Sequence, residues 1–190
     1  NYINIMKFIF IIIFLIFSNI TLAKDNVINI TFTKENAKYW QYISDRTMGG
    51  ISDGKAALEQ DGEMFFARLT GEVSTENNGG FIQLRSRFSF ENFEKDSKKI
   101  KGVRLKVRGN GEIYHIFIRT NETQSYRDFY LASFKANSNW EMIDLPFNKF
   151  KHRYSTHLVL EGKKIRTIGI VAYGRDFVSD VSVSKIVFYY

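Results

Sequence analysis

The chain has 190 residues, with 27 lysines and arginines against 20 aspartates and glutamates, and it contains no cysteine. The lack of cysteine excludes a disulfide framework, a cysteine nucleophile and thiolate metal ligands. The formal net charge of +7 favours acidic partners, such as an anionic lipid surface, an acidic glycan or an acidic protein face. The alternative is that the surplus charge only solvates lysine-rich loops, such as the one containing Lys95, Lys98, Lys99 and Lys101.

The N-terminal segment, residues 1–23, has the organisation of a secretory signal peptide. Lys7 precedes an unbroken apolar run from Phe8 to Phe17, and a small-residue exit ends at Ala23. The run is shorter than the roughly 20 apolar residues that a membrane-spanning helix needs. We therefore expect a start at Met6, cleavage after Ala23, and a periplasmic or extracellular protein that meets no nucleic acid. The alternative is an uncleaved anchor, which would then be the membrane contact.

Residues 24–190 are predicted to form one domain built from β-strands. Runs in which apolar and polar side chains alternate recur along it, as is typical of strands with one face in a core. The predicted strands are Val27–Phe32, Phe65–Leu69, Gly80–Phe88, Val103–Val107, Tyr114–Ile118, Tyr126–Ala136, Trp140–Leu145, Ile168–Ala172 and Val181–Tyr190.

Helices are predicted to be short and few: one or two turns at Lys34–Tyr42 and a short one at Phe147–Phe150. Parallel strands need a long crossover connection, usually a helix, so the pairing is expected to be antiparallel. Nine or so strands with this spacing predict an all-β fold, a two-sheet antiparallel β-sandwich.

Three glycine-rich segments interrupt the strand pattern: Trp40–Ser52, Glu76–Arg85 and Leu105–Tyr114. The first reads D-x-x-M-G-G-x-S through Asp45, Met48, Gly49, Gly50 and Ser52, and the second reads N-N-G-G-F through Asn78, Gly79 and Gly80 to Phe81. The third contains Gly109-Asn110-Gly111, and Trp140 precedes Leu145-Pro146-Phe147.

These motifs, in this order, resemble the complex I intermediate-associated protein 30 family. The resemblance implies a galactose-binding-domain-like jelly roll and a role in helping another protein to assemble. Mitochondrial members assist the membrane arm of respiratory complex I, and an exported member would have a different client. Asn110 stands where the family usually carries aspartate, which argues against an essential carboxylate in that turn.

The loop from Asp45 to Ser52 is the first candidate binding element, together with Arg46, Met48, Gly49 and Gly50. Paired glycines let another chain approach closely, and an exposed methionine makes adaptable contacts. The alternative is a brace in which Asp45 and Ser52 hold the loop on the sandwich and Met48 is buried. The turn at Asn78, Gly79 and Gly80 has the same two interpretations, as the rim of a groove or as a structural turn into a strand.

A second candidate element is a sheet face that carries arginines. Arg85, Arg87, Arg108, His115 and Arg119 could share it with Tyr114, Tyr126 or Tyr130, and arginine beside aromatic rings suits carboxylates, sugars and acidic peptides. The alternatives are a solvated face and arginines paired with Asp and Glu. Trp40 and Trp140 are candidates for sugar stacking or for core packing.

No motif points to catalysis, and the three histidines show no metal-binding spacing, so neither a catalytic residue nor a cofactor is expected. A calcium ion at Asp45 or Asn78 has no support in the pattern. The sequence therefore predicts a non-catalytic binding protein, an assembly factor or chaperone-like partner of envelope or respiratory-complex proteins. Its partner would be a protein client or a membrane-complex assembly intermediate. The alternatives are a carbohydrate-binding module and, third, a hydrolase or lyase with a deep pocket of titratable groups.

Overall fold

Twelve strands pair into two antiparallel sheets in the computed structural model, which describes residues 28–86, 100–162 and 165–190. The strands are β1 (Ile28–Thr31), β2 (Trp40–Ser44), β3 (Asp53–Asp61), β4 (Met64–Val73), β5 (Phe81–Ser86), β6 (Gly102–Gly109), β7 (Ile113–Thr120), β8 (Tyr130–Lys135), β9 (Glu141–Pro146), β10 (Lys151–His152), β11 (Ile165–Tyr173) and β12 (Phe177–Tyr189).

Sheet I has the strand order β3-β4-β12-β6-β9, with β1 beside β12, and sheet II has the order β10-β8-β7-β11-β5-β2. The long strand β12 is central to sheet I. Along one edge its first half pairs with β4 and its second half with β1, and along the other edge it pairs with β6. Sheet II is centred on β11, which lies between β7 and β5. An arginine that points away from the core therefore lies on the outer face of either sheet I or sheet II.

The core lies between the two sheets and is filled by the apolar phase of each alternating strand. In β6, Val103, Leu105 and Val107 are fully buried while Arg104 points outward to solvent. Sheet II contributes its inward phase in the same way, and large aromatic side chains such as Phe188 fill the space between the layers. Truncating a buried ring of that size costs about 3–5 kcal/mol.

The predicted all-β sandwich is confirmed, and all of its strand pairs are antiparallel. Three strands were missed, namely β2, β3 and the two-residue β10. β2 was hidden in the segment considered for a helix, where only a 3₁₀ turn forms at Ala37–Tyr39. β3 was missed because Asp53–Asp61 lies at a sheet edge and carries exposed polar residues in both phases.

Short 3₁₀ turns also occur at Asp45–Met48, Glu76–Asn78 and Phe147–Lys149. Within the three described ranges there is no helix with the length and hydrophobicity needed to span a membrane. The predicted signal peptide, Arg87 and the lysines at positions 95, 98 and 99 lie outside the described residues.

Candidate functional site

The outer face of sheet II carries a cleft of about 620 Å³. Its described lining contains no Asp or Glu. It includes the guanidinium groups of Arg85, Arg119, Arg127 and Arg153, and the rings of Tyr42, Phe81, Phe117, Tyr126, Phe129 and Tyr173. We call this site the arginine cleft.

The floor of the arginine cleft follows from the register of three neighbouring strands. Gly169 in β11 lies opposite Arg85 on one side and Phe117 on the other. Because glycine has no side chain, the central strand leaves a depression between the flanking side chains. A Cβ atom at Gly169 would come 3.2 Å from Gln83 Oε1. Because this atom is the end of a side chain and not part of the backbone, the surrounding backbone does not by itself require glycine at this position.

One wall of the cleft is a small apolar cluster that lies on the outside of the sandwich. Phe117, Phe129 and Val171 are buried in it, and Phe117 and Phe129 stack with ring centroids 3.9 Å apart. Tyr173 packs edge-on against Phe117 at 5.2 Å. An outward strand phase that buries phenylalanine is unusual for a solvated face, so these rings form a firm wall.

Arg119 is the most deeply buried of the four lining arginines, with 8% of its surface exposed, whereas Arg85 is half-buried and Arg127 and Arg153 are exposed. Its Nη2 donates a hydrogen bond to the Tyr126 carbonyl oxygen at 2.8 Å, and its guanidinium lies 5.5 Å from the centre of the Phe129 ring. Its Nε and Nη1 are also buried, and they have no hydrogen-bond acceptor among the described residues. Buried donors without acceptors are rare in native proteins, and at a cleft they indicate a ligand position.

The charge of Arg119 is not compensated locally. Burial and then the charge of Arg85 lower the pKa of Arg119 to about 10, against the opposing effect of Asp128, and the group stays cationic at neutral pH. The Asp128 carboxylate is engaged elsewhere, because Oδ1 lies 2.5 Å from His152 Nε2 and Oδ2 accepts a bond from the Gln124 amide at 3.3 Å. No described carboxylate lies within ion-pair distance of Arg119, so an external anion would be its counter-ion.

Gln83 supplies a buried acceptor in the same cleft. The side chain is 4% exposed, and its Oε1 has no donor among the described residues. Gln83 and Arg85 point to the same face, since residues two apart in a strand do so. The cleft therefore offers charged donors and one amide acceptor to a ligand.

The Asp45 carboxylate is the structural link between the two glycine motifs. Asp45 is fully buried; Oδ1 accepts a hydrogen bond from the Ser52 amide (3.0 Å), and Oδ2 accepts one from the Ser52 hydroxyl (2.5 Å). Oδ2 also accepts bonds from the amides of Gly80 (2.6 Å) and Phe81 (3.0 Å). The carboxylate thus ties the loop after β2 to the start of β5.

The glycines of these motifs make room for that carboxylate. A Cβ atom at Gly50 would come 2.4 Å from Asp45 Cγ, and one at Gly79 would come 2.6 Å from Asp45 Oδ2. Gly49 and Gly80 have φ angles of 91° and 119°, which only glycine adopts readily.

The sequence analysis proposed that Asp45, Gly50, Ser52 and Gly80 contact a ligand directly. All four are buried, so the structure gives them a bracing role instead. In the same loop Met48 is exposed and lines the cleft. The brace alternative was therefore right for Asp45 and wrong for Met48. The exposed Arg46 pairs with Asp53 at 3.1 Å, and Gly49 and Asn78 are exposed on the loops, outside the described lining.

Three further predicted site residues, Arg108, Trp140 and Tyr114, also lie away from the arginine cleft. Arg108 and Trp140 lie on the outer face of sheet I, where the Arg108 guanidinium is 4.8 Å from the Trp140 ring and 5.0 Å from the Phe66 ring. An alternating strand pattern shows that Arg108 points outward but not to which sheet its strand belongs. Tyr114 points inward and is fully buried, which raises the pKa of its hydroxyl.

The Tyr114 hydroxyl has a structural role that also accounts for Asn110. It donates a hydrogen bond to Asn110 Oδ1 at 2.7 Å and accepts one from the Asp180 amide at 2.8 Å. Asn110 Nδ2 donates to the Val178 carbonyl oxygen at 2.8 Å. An amide side chain therefore suits this turn because it both donates and accepts.

The other aromatic and histidine candidates divide between the face and the core. His115 lies beside Tyr173 on the sheet II face, and burial lowers its pKa. Tyr126 is exposed at the cleft, Tyr130 is buried, and Trp40 packs against Phe32 with centroids 4.9 Å apart. The described residues hold no group of three or more His, Asp or Glu side chains that could bind a metal ion.

Several lining residues were missed at the sequence level, namely Gln41, Phe81, Gln83, Phe117, Arg127, Phe129, Arg153 and Tyr173. A signal was present: Phe81-Gln83-Arg85 and His115-Phe117-Arg119 place aromatic side chains in the outward phase of their strands. Two strands with that mixture of rings and arginines indicate a face that is partly desolvated.

Comparisons with known proteins agree with this architecture. The family model described as complex I intermediate-associated protein 30 matches residues 30–179. A family 11 carbohydrate-binding module from Clostridium thermocellum, solved in complex with a beta-1,3-1,4-mixed-linked tetrasaccharide, has a TM-score of 0.65 at 14% identity, covering 85% of this chain and 95% of the module. A family 30 carbohydrate-binding module has a TM-score of 0.54 at 9% identity, covering 78% of this chain and 80% of the module. At these identities the structural likeness establishes the galactose-binding-like β-sandwich fold.

Proposed function

Because the chain belongs to the complex I intermediate-associated protein 30 family, we propose that it is a non-catalytic binding protein that holds a protein client during assembly. The client segment binds in the arginine cleft on sheet II. The family name supports an assembly role, and the client of this chain is a separate question from that of other members.

One observation carries the proposal: Arg119 is buried in a cleft with two donor atoms that no described residue satisfies. Leaving a buried donor unsatisfied costs about 1–3 kcal/mol. Such a cost is tolerated where binding a partner recovers it, as strained or unsatisfied groups cluster at functional sites. The surrounding rings then exclude water from the bond that forms.

The chemistry of the lining favours binding over turnover. Burial raises the pKa of Tyr42, so its hydroxyl is a poor base at neutral pH, and Arg119 remains protonated. The described lining offers neither a carboxylate nor a histidine that could transfer a proton. The pocket of titratable acids and bases that a hydrolase or lyase would need is not what this lining provides.

A carbohydrate-binding module is the second candidate function. It is favoured by the shared fold of the family 11 module and by the exposed Tyr126 ring at the cleft, since sugars stack on such rings. Neutral sugar hydroxyls need acceptors as well as donors, however, and guanidinium groups only donate. Affinity electrophoresis on mixed-linked β-1,3-1,4-glucan tests this candidate: retardation that is lost in Arg119→Met or Tyr126→Ala would favour it over the protein client.

Two exposed methionines provide a matched test of the protein-client proposal. Met48 lines the arginine cleft, and Met142 lies on the outer face of sheet I; they are 37% and 52% exposed. Each is replaced by a photo-crosslinking phenylalanine in the source organism. We expect a crosslinked polypeptide from position 48 that position 142 does not give. Equal yields from both positions, or no polypeptide from either, would contradict the proposal.

We also propose that the protein works outside the cytoplasm, after removal of residues 1–23. N-terminal sequencing of the protein isolated from its native membrane or periplasmic fraction tests this directly. A mature N-terminus at Lys24 is expected, and a native protein that begins at Met6 in the cytoplasm would refute it.

A further inference from the structure

The arginine cleft holds two buried polar groups whose needs are opposite. Arg119 presents Nε and Nη1 as donors, and Gln83 presents Oε1 as an acceptor; the two side chains are 8% and 4% exposed. Both line the same cleft, on strands that flank β11. A ligand that satisfies both must carry an acceptor group and an N–H or O–H donor.

The acceptor that Arg119 requires is best supplied by an anion. Arg85 is close enough to repel the Arg119 charge, and Arg127 and Arg153 line the same cleft. A neutral carbonyl would satisfy a donor without offsetting this positive charge. A carboxylate does both, because its two oxygens match the planar fork of a guanidinium and form charge-assisted bonds.

The donor that Gln83 requires selects among the carriers of a carboxylate. A polypeptide presents a backbone N–H close to a C-terminal carboxylate and also to an acidic side chain. It also brings side chains that can pack on the wall of Phe117, Phe129 and Tyr173. An acidic sugar brings no apolar side chain to pack on that wall, and each of its further hydroxyl groups would need a partner among the polar side chains of the lining.

The size of the cleft limits how much of a polypeptide can enter. Its volume of about 620 Å³ lies within the roughly 300–1,000 Å³ typical of ligand pockets. That space accommodates a short segment rather than a folded surface.

We infer that the arginine cleft recognises a short polypeptide segment by one carboxylate, which pairs with the Arg119 guanidinium while a neighbouring backbone N–H donates to Gln83 Oε1. This inference rests on the proposed function and adds the chemistry of what the client presents. Arg85 assists by its charge, and the aromatic wall shields the ion pair from water.

Small probes that differ by one group test the inference on the full chain by NMR titration. N-acetyl-L-phenylalanine has the carboxylate, the N–H and a ring, and N-acetyl-L-phenylalaninamide lacks only the charge. N-acetyl-L-glutamic acid α-amide moves the carboxylate to a side chain, and D-glucuronate presents it on a sugar. We expect at least one peptide-like acid to bind roughly ten-fold or more tightly than the matching amide, and to shift the Arg119 Nε–H resonance.

Charge-matched variants separate the site from the overall charge. Arg119→Met should abolish the preference for acid over amide, and Gln83→Met should weaken binding of both. Arg104→Met removes the same charge from sheet I, where Arg104 pairs with Asp144 at 2.5 Å, and should leave the titration unchanged. The acid and amide comparison on the unaltered chain does not depend on the folding of any variant.

Equal affinity for acid and amide would overturn the inference, and so would tighter binding of glucuronate than of both peptide-like acids. These failures differ from failure of the proposed function. A polypeptide crosslinked from position 48 together with no preference for acids would leave the client role standing and remove only the carboxylate.

Discussion

The two outer faces of the sandwich both carry arginines, but they use them differently. On sheet I, Arg68 forms a two-pronged pair with Asp180, both contacts at 2.8 Å, and Arg104 does the same with Asp144. On sheet II, Arg119 is more deeply buried than either and has no described carboxylate beside it. A count of arginines therefore says little about binding; what distinguishes the faces is where their counter-ions are.

The aromatic side chains follow the same division. Trp140 on sheet I is covered by Arg108 and in turn covers Phe66, with ring centroids 5.5 Å apart. These groups pack on one another, and the buried Trp140 Nε1 has no acceptor among the described residues. Phe117 and Phe129 on sheet II also stack, but they form the side of an open cleft. The aromatic side chains of sheet I are thus covered, whereas those of sheet II border an open cleft.

The largest expected effect tests whether Asp45 braces the loop after β2 against the start of β5. Asp45→Ala removes a buried carboxylate that accepts four hydrogen bonds, and we expect it to lower the free energy of unfolding by about 3–5 kcal/mol. Asp144→Ala, which removes a half-exposed carboxylate from sheet I, should cost about 1 kcal/mol or less. Urea denaturation measures both. Equal midpoints for the two variants would show that Asp45 is not a brace.

A second prediction has opposite signs on the two faces. Arg119→Met replaces an uncompensated buried cation by an apolar chain of similar length, and we expect stability to rise by about 1–2 kcal/mol. Arg68→Met breaks a satisfied pair and should lower stability by up to about 1 kcal/mol. Both values come from denaturant unfolding. A destabilised Arg119→Met would mean that the guanidinium is satisfied without a ligand.

A third prediction concerns the shape of the cleft without touching its charge. Gly169→Val fills the depression between Arg85 and Phe117, and we expect about a ten-fold loss of affinity for the best carboxylate probe. Ala57→Val adds apolar volume on sheet I and should leave affinity unchanged. The same NMR titration reads out both variants, with thermal melting as a check on folding. Unchanged binding in Gly169→Val would place the ligand elsewhere on the face.

The smallest expected effect is a pH dependence confined to sheet I. Hydrogen bonding and charge from Arg68 lower the pKa of Asp180 in the folded state. The pair therefore stabilises the fold above the ordinary aspartate pKa near 3.8, and this contribution is lost as pH falls through the lower folded value. Because both groups are over a third exposed, we expect less than about 1 kcal/mol. Acid unfolding curves of the unaltered chain and Arg68→Met should converge below that range, and a constant difference would contradict the assignment.

The fold was predictable from the sequence because burial acts at every second residue along each strand. β6 shows this most clearly, with its apolar phase fully buried, whereas in β7 the outward residues Phe117 and Arg119 are buried as well. Sheet membership was not predictable, since Arg108 and Arg119 occur in similar alternating patterns and differ only in how their strands pair. That pairing is set by contacts between residues far apart in the chain.

The site was predictable only in part for the same reason. Arg85, Arg119 and Met48 were proposed and do line the cleft. The glycine motifs that were also proposed instead make room for the Asp45 carboxylate. Gln83 and Phe129 were missed because burial on an outward phase depends on neighbours from other strands and loops. Whether the lining residues bind a client remains a prediction.

The Asp45 link also determines which positions are free to vary. It anchors the ends of the loops through backbone amides, whereas most side chains that line the cleft, Phe81 being an exception, belong to residues that take no part in that anchor. The frame and the contents of the recess can therefore change independently. A new specificity could be installed by exchanging Gln83, Arg119 or Tyr173 while the signature that identifies the family stays intact.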